Sequence, residues 1–299
     1  DKIFYLTAKN SGKLSASHAM KHLNDAGLKS KSIVITSKEK ICFQEHRNCN
    51  PDECPYAKAY YSKIQGILRY ALMNYDFIGA EEIIEIAKDN NVCPFELELD
   101  LSLFMDVIIC DYNYLFDPIS YMQRFFDKDA KMHLVLIDEA HNLVDRSRDM
   151  YSASLDIYKV KVASKALKGK DARKLVTVIN KIKNYMIDQG ALNMDQYRVI
   201  QGFSPDFIAL ANKFLTTYKE FSRDKDFKMP EEVVDLFLDV NKFVIINDYY
   251  CDEYLSYIDA KDEDVTFTYY CMNATSYVAS RLNSVKSSVL FSATLSPMD

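Results

Sequence analysis

Residues 133–143 read His133-Leu134-Val135-Leu136-Ile137-Asp138-Glu139-Ala140-His141-Asn142-Leu143. Residues 134–137 are a short, unbroken apolar run with β-branched members, the composition of a strand buried on both faces of a parallel sheet. The run ends in two adjacent carboxylates, and open α/β sheets place their ligands at the carboxyl ends of strands. Asp138 is therefore placed to hold a hydrated Mg²⁺ and Glu139 to orient and deprotonate an attacking water. His141 is placed to report the nucleotide state to neighbouring elements. A bare Asp-Glu pair also reads as a solvated acidic turn. The full tetrad Asp138-Glu139-Ala140-His141 behind four apolar residues is more specific.

Working outward, residues 105–110 (Met-Asp-Val-Ile-Ile-Cys) form another buried-strand candidate. They run into Asp111-Tyr112-Asn113-Tyr114-Leu115-Phe116-Asp117-Pro118, and a short helix over 119–126 leads on to the acidic strand. Strand, crossover, strand is the pattern of a parallel sheet. Residues 3–6 and 32–36 supply further strands, with a helix over about 15–25 between them. The turn Thr7-Ala8-Lys9-Asn10-Ser11-Gly12-Lys13-Leu14 is a near miss to a phosphate loop. It lacks the first glycine that wraps phosphate and the hydroxyl after Gly-Lys that ligates Mg²⁺, so that reading is rejected. Lys9, Ser11 and Lys13 instead offer donors to a phosphodiester backbone, against the plainer reading of an ordinary polar turn.

Seven cysteines are unevenly placed. Cys42, Cys49 and Cys54 fall within thirteen residues and Cys93 lies far downstream. Three clustered thiols plus one distant thiol can close a four-thiolate site holding Zn²⁺ or an iron–sulfur cluster. Structural zinc usually pairs two short Cys-x₂-Cys halves, and this spacing has none, which fits a cluster better. Cys110, Cys251 and Cys271 have apolar or aromatic neighbours and read as buried side chains. Between Cys54 and Cys93, residues 56–74 interleave Tyr60, Tyr61 and Tyr70 with Lys58, Lys63 and Arg69. That mixture suits single-stranded nucleic acid, although an aromatic stripe at helical spacing is more often core.

From about 152 to 259 the chain reads as helical and lysine-rich, with Ser204-Pro205-Asp206 as a helix start. Residues 265–271 and 288–292 return to strand composition. The second of these runs into Ala293-Thr294-Leu295-Ser296-Pro297, where the Ser292 and Thr294 hydroxyls are placed to bond His141 or Glu139 and couple hydrolysis to movement. The 299 residues suggest about two domains. An apolar content of 48% supports a sizeable core, and no segment approaches the roughly 18 apolar residues of a membrane span. A soluble, cytoplasmic protein with no membrane partner is expected. The net charge of −6 gives no global basic footprint, so nucleic-acid contact must rest on local patches.

In their order along the chain, these motifs resemble those of iron–sulfur superfamily-two helicases of the XPD and DinG type, the bacterial DinG-like branch above all. The resemblance rests on the 7–12 turn (similar to motif Ia), the four cysteines, residues 110–118, the DEAH tetrad of Walker B, and residues 291–297. It implies an α/β fold: a partial parallel-sheet, RecA-like motor domain with an inserted iron–sulfur domain and an inserted all-helical Arch domain. The implied parts are motor domain at 1–40, cluster domain at 41–93, motor domain at 94–150, Arch at 151–262, and motor domain at 263–299. Cys42, Cys49, Cys54 and Cys93 would ligate a [4Fe–4S] cluster. ATP with Mg²⁺ would be hydrolysed at Asp138 and Glu139, and single-stranded DNA would run past Thr7, Lys9, Lys13, Tyr112 and Asn113. The implied substrates are forked or 5′-tailed duplex DNA, unwound 5′ to 3′ by a monomer. A Walker A loop is expected before residue 3, and a second motor domain with an arginine finger after residue 299. The chain therefore reads as a central helicase fragment, inactive alone. The rival expectation is a non-enzymatic single-strand-binding module with a structural four-cysteine metal site.

Overall fold

The computed structural model describes residues 1–44, 49, 51–168, 171–191, 197–224, 226–261 and 264–294. Ten strands occur among them: β1 Lys2–Leu6, β2 Ser32–Val34, β3 Phe77–Ile78, β4 Val107–Cys110, β5 His133–Asp138, β6 Ala153–Asp156, β7 Arg198–Ile200, β8 Tyr254–Lys261, β9 Asp264–Cys271 and β10 Ser287–Phe291. The chain divides into two compact units, one of Asp1–Val144 with Tyr277–Asp299, the other of Asp145–Ser276.

The first unit is built on a six-stranded sheet in the order β10-β5-β1-β4-β2-β3, with every pairing parallel. The α/β, RecA-like expectation is met. Parallel strands buried on both faces need apolar residues at successive positions, and β4 is buried along its whole length. On one face the helix Asn10–Asp25 sets Ala16 and Met20 against Val107 and Ile109, flanked by Ile3, Tyr5, Val34 and Phe77. On the other face Phe4 meets the rings of Phe125 (5.2 Å) and Phe126 (4.8 Å). Segment 41–93 is not separate from this sheet: its Phe77–Ile78 pairs with Ser32–Ile33. The segment's two longer helices are Tyr60–Asn74 and Ala80–Asn90. The second opens with Glu82 reaching back to the Gly79 N–H (2.8 Å) and closes at left-handed Asn91, an arrangement that satisfies end groups the helix itself cannot.

The second unit corrects two expectations. Its limits are 145 and 276 rather than 151 and 262, and it is not all-helical. Its four-stranded sheet, in the order β6-β9-β8-β7, is antiparallel throughout. Residues 265–271, expected in the motor sheet, pair here with β8 and β6. The physical reason lies in the alternation of β8, where Tyr254, Ser256, Ile258 and Ala260 point inward and their neighbours do not. A period of two makes a half-buried antiparallel strand, and one polar member, Ser256, obscures it. The core of the unit is aromatic, with Phe203 stacked on Phe267 (4.9 Å) and edge-on to Tyr269 (4.9 Å). Ser204 caps its helix as expected, accepting from the Phe207 N–H (3.2 Å). No helix of the described residues is long and apolar enough to cross a membrane.

Candidate functional site

Strand β5 delivers Asp138 at its last position, and the register pairs Phe291 of β10 with Asp138. Parallel pairing therefore brings the residue after each strand to the same edge, which sets Ser292 beside Glu139. The Ser292 hydroxyl donates to Glu139 Oε2 (3.2 Å) and lies 2.8 Å from His141 Nδ1. His141 Nδ1 is also 3.2 Å from Glu139 Oε2 and 3.4 Å from Thr294 Oγ1. With Ser292 donating to the carboxylate, the hydrogen between Nδ1 and Ser292 belongs to the imidazole. The Thr294 N–H donates to Ser292 Oγ (3.2 Å). Glu139, His141, Ser292 and Thr294 thus form one half-exposed network, and one Glu139 oxygen carries its donors.

Asp138 is approached from two sides that the sequence did not single out. The Tyr5 phenol on neighbouring β1 lies within the electrostatic reach of Asp138. Burial first, and then Asp138, raise the Tyr5 pKa and keep the phenol protonated. At Gly12 a Cβ would stand 2.1 Å from Thr7 Oγ1 and 2.9 Å from Asp138 Oδ2, so only glycine lets the first helix come this close. One carboxylate suits Mg²⁺, which keeps several waters and takes other ligands from substrate phosphates.

The nucleic-acid candidates separate. Lys9 is exposed. Lys13 turns inward and donates its ammonium to the Ile35 carbonyl (2.8 Å). Thr7 and Tyr112 are fully buried, which corrects their assignment to a DNA-facing surface: neither offers a stacking ring or a free hydroxyl to solvent. The Tyr112 hydroxyl instead donates to the carbonyls of Asp138 and Glu139, the latter at 2.9 Å. Asn113 is half-buried, its N–H held by Asp111 Oδ1 (2.9 Å). In the helix after Cys54, Tyr60 is core and donates to Asp100 (3.0 Å), whereas Tyr61 and Tyr70 are exposed.

The cysteines converge in part. Cys93 stands at the N-cap of the helix Pro94–Leu101, with the Phe95 and Glu96 backbone close to its sulfur. Burial raises the Cys93 pKa, that backbone and Lys38 opposing it. Lys38 feels the charge of Cys49, Glu96 and Cys93. Burial pulls the Lys38 pKa down, but these partners outweigh it and the ammonium is favoured. Lys38 begins the short helix Lys38–Ile41, which Cys42 terminates, and Cys54 is buried. Among the described residues no group of three or more His, Cys, Asp or Glu side chains stands in metal-holding geometry. From the same helix Glu98 is wholly buried, both its oxygens near the Thr36 N–H (3.1 Å). Burial raises its pKa well above the ordinary value, with Thr36 and Lys13 opposing.

A family model, DEAD_2, matches residues 16–160. The Fanconi anemia group J protein homolog of Gallus gallus is 31% identical over 88 residues, which are 29% of this chain and 7% of that protein. The regulator of telomere elongation helicase 1 homolog of Arabidopsis thaliana is 26% identical over 198 residues, 61% of this chain and 18% of that protein. The chain therefore spans a small part of the relatives it matches. Among solved structures, an XPD helicase superposes with TM-score 0.56 at 15% identity, over 97% of this chain and half of the other. A truncated XPD gives 0.61 at 14% identity, over 99% and 82%. The likenesses to solved structures show the fold.

Proposed function

We propose that this chain is the central part of an ATP-dependent DNA helicase that unwinds forked or 5′-tailed duplexes 5′ to 3′ as a cytoplasmic monomer. The observation that carries the reading is the Glu139–Ser292–His141–Thr294 network at the carboxyl ends of two paired parallel strands. Asp138 would hold Mg²⁺ with the nucleotide, and the bound ion would supply neutralisation of phosphate charge. Glu139 takes the proton of the attacking water with the oxygen that Ser292 does not engage. His141 and Ser292 read the protonation and position of that carboxylate, and Thr294 passes the change to the segment after β10. Single-stranded DNA contacts Lys9, Asn113 and the exposed Tyr61 and Tyr70. Cys42, Cys49, Cys54 and Cys93 would hold a [4Fe–4S] cluster, which would tie their loops together.

ATP hydrolysis needs a phosphate loop and an arginine finger besides these carboxylates. Residues 1–299 alone are therefore expected to hydrolyse ATP at background rate. The source protein with its flanking segments is expected to show DNA-stimulated turnover. In that protein Glu139→Gln lowers kcat by roughly 10²–10⁴-fold, the usual worth of a general base, and leaves nucleotide binding intact. Steady-state ATPase assays with and without single-stranded DNA decide it. Normal turnover by Glu139→Gln would remove the network from catalysis, and robust turnover by residues 1–299 would overturn the division of parts.

A further inference from the structure

Glu139 has φ 53° and ψ 43°, in the left-handed region. A side chain bearing a Cβ avoids that region, and such a conformation persists where its surroundings over-determine it. Three groups converge on the Glu139 carbonyl: the Tyr112 hydroxyl (2.9 Å), the Asn142 N–H (2.9 Å) and the Asn142 side-chain amide (3.2 Å). The same Tyr112 hydroxyl also donates to the Asp138 carbonyl, so one proton is shared between the two peptide groups that flank the turn. Asn142 is close in sequence and helps to shape a local turn. Tyr112 comes from a different strand end, two residues beyond β4, and its ring is fully buried beside Phe116 (6.5 Å between centroids).

A phenylalanine would fill that ring's space equally well, so the hydroxyl is the informative part. Without it, the Asp138 and Glu139 carbonyls lose a shared donor, and the Glu139 backbone is held only by its own turn. The direction of the Glu139 side chain follows from its backbone dihedrals. In an extended or right-handed conformation the carboxylate would leave Ser292 and His141.

We propose that Tyr112 is a positioning residue for the hydrolytic carboxylate. Its buried hydroxyl clamps the Asp138 and Glu139 carbonyls, holds Glu139 in the left-handed conformation and so aims its carboxylate at the attacking water. This rests on the helicase reading for its consequence in turnover, but not for the clamp itself.

Two arms test it with Tyr112→Phe. In residues 1–299, selectively labelled for NMR, the Cα and amide shifts of Glu139 move away from left-handed values. The thermal midpoint meanwhile falls by no more than about 4 °C, the scale of one lost hydrogen bond. In the full-length protein kcat drops roughly tenfold to a hundredfold, as misplacement of a reacting group allows, while KM for ATP and the affinity for single-stranded DNA stay within about twofold. A merely structural tyrosine would move KM, DNA affinity and the thermal midpoint together. Unchanged Glu139 shifts overturn the clamp. Unchanged kcat with moved shifts overturns its role in catalysis. A wild-type protein without ATPase would sink the helicase reading and leave the NMR arm to judge the clamp. Should Tyr112→Phe fail to fold, the unsubstituted chain decides: a Tyr112 hydroxyl proton seen by NMR and slow to exchange supports the clamp, and one that exchanges freely with water rejects it.

Discussion

The end of β5 and the cysteine segment both need side chains from distant positions at one point, and they meet that need by different means. At the first, Ser292 reaches Glu139 across more than 150 residues because β10 and β5 are in register. Backbone hydrogen bonds assemble the network before any ligand arrives. At the second, Cys42 and Cys93 sit at helix ends and Cys49 and Cys54 on the loops between them. Lys38 feels the charge of Cys49 and Cys93, and none of the four lies on a paired strand. A site hung on paired strands inherits the stability of the sheet, whereas a site hung on loops borrows order from its occupant.

The contrast breaks if losing a cysteine is harmless. With Cys93→Ser in the anaerobically purified full-length protein, iron is expected to fall from about four per chain to near none. Residues 41–93 become the first site of proteolytic cutting, while the β10–β5 network keeps its order. Metal analysis and limited proteolysis read both, and stoichiometric zinc without iron in the parent would remove the cluster. A smaller effect sharpens the comparison within the sheet. The Glu98 pKa is raised in the folded state, so the unfolded chain releases its proton first. Stability is complete below the ordinary glutamate value, near about 4.3, and falls as pH rises towards the elevated folded value. Glu98→Gln should remove that fall and raise the thermal midpoint at pH 8 by a few degrees, at roughly 2–4 °C per kcal/mol. A variant whose midpoint tracks the parent at every pH would show that the buried acid is not the source. The smallest effect concerns DNA. Lys9→Glu should weaken single-strand binding and lower the salt slope by about one, whereas Lys13→Met, whose ammonium serves the Ile35 carbonyl, should leave that slope alone. Equal slopes for both variants would put the DNA path elsewhere.

The parallel sheet was legible because its strands are continuous apolar runs ending in polar turns, and residues 107–110 and 134–137 admit few other readings. The network at Glu139 was legible too, since a hydroxyl-rich turn after one strand and an acidic turn after another need only adjacent strands to meet. What escaped was whatever depended on direction. Tyr112 and Asn113 look alike in a sequence, both polar-edged and near a strand end, yet one is wholly buried and the other half-exposed. Tyr5 gave no signal beyond alternation, although Asp138 helps to raise its pKa. The second unit's sheet was missed because Ser256 interrupts the alternation of β8 and helices on either side dominate the window.

The order of the central sheet also sets a timetable. Strand β5 finds β1 on one side as soon as it is made, but its other neighbour, β10, is encoded after the whole of residues 145–276. At a synthesis rate of roughly 5–20 residues per second, that edge waits on the order of ten seconds or more on the ribosome. A bare apolar strand edge is a template for pairing with the wrong chain. The nascent protein is therefore most exposed to misassembly when its acidic turn is complete and Ser292 has yet to be translated, and a chaperone's period of greatest usefulness falls in that interval.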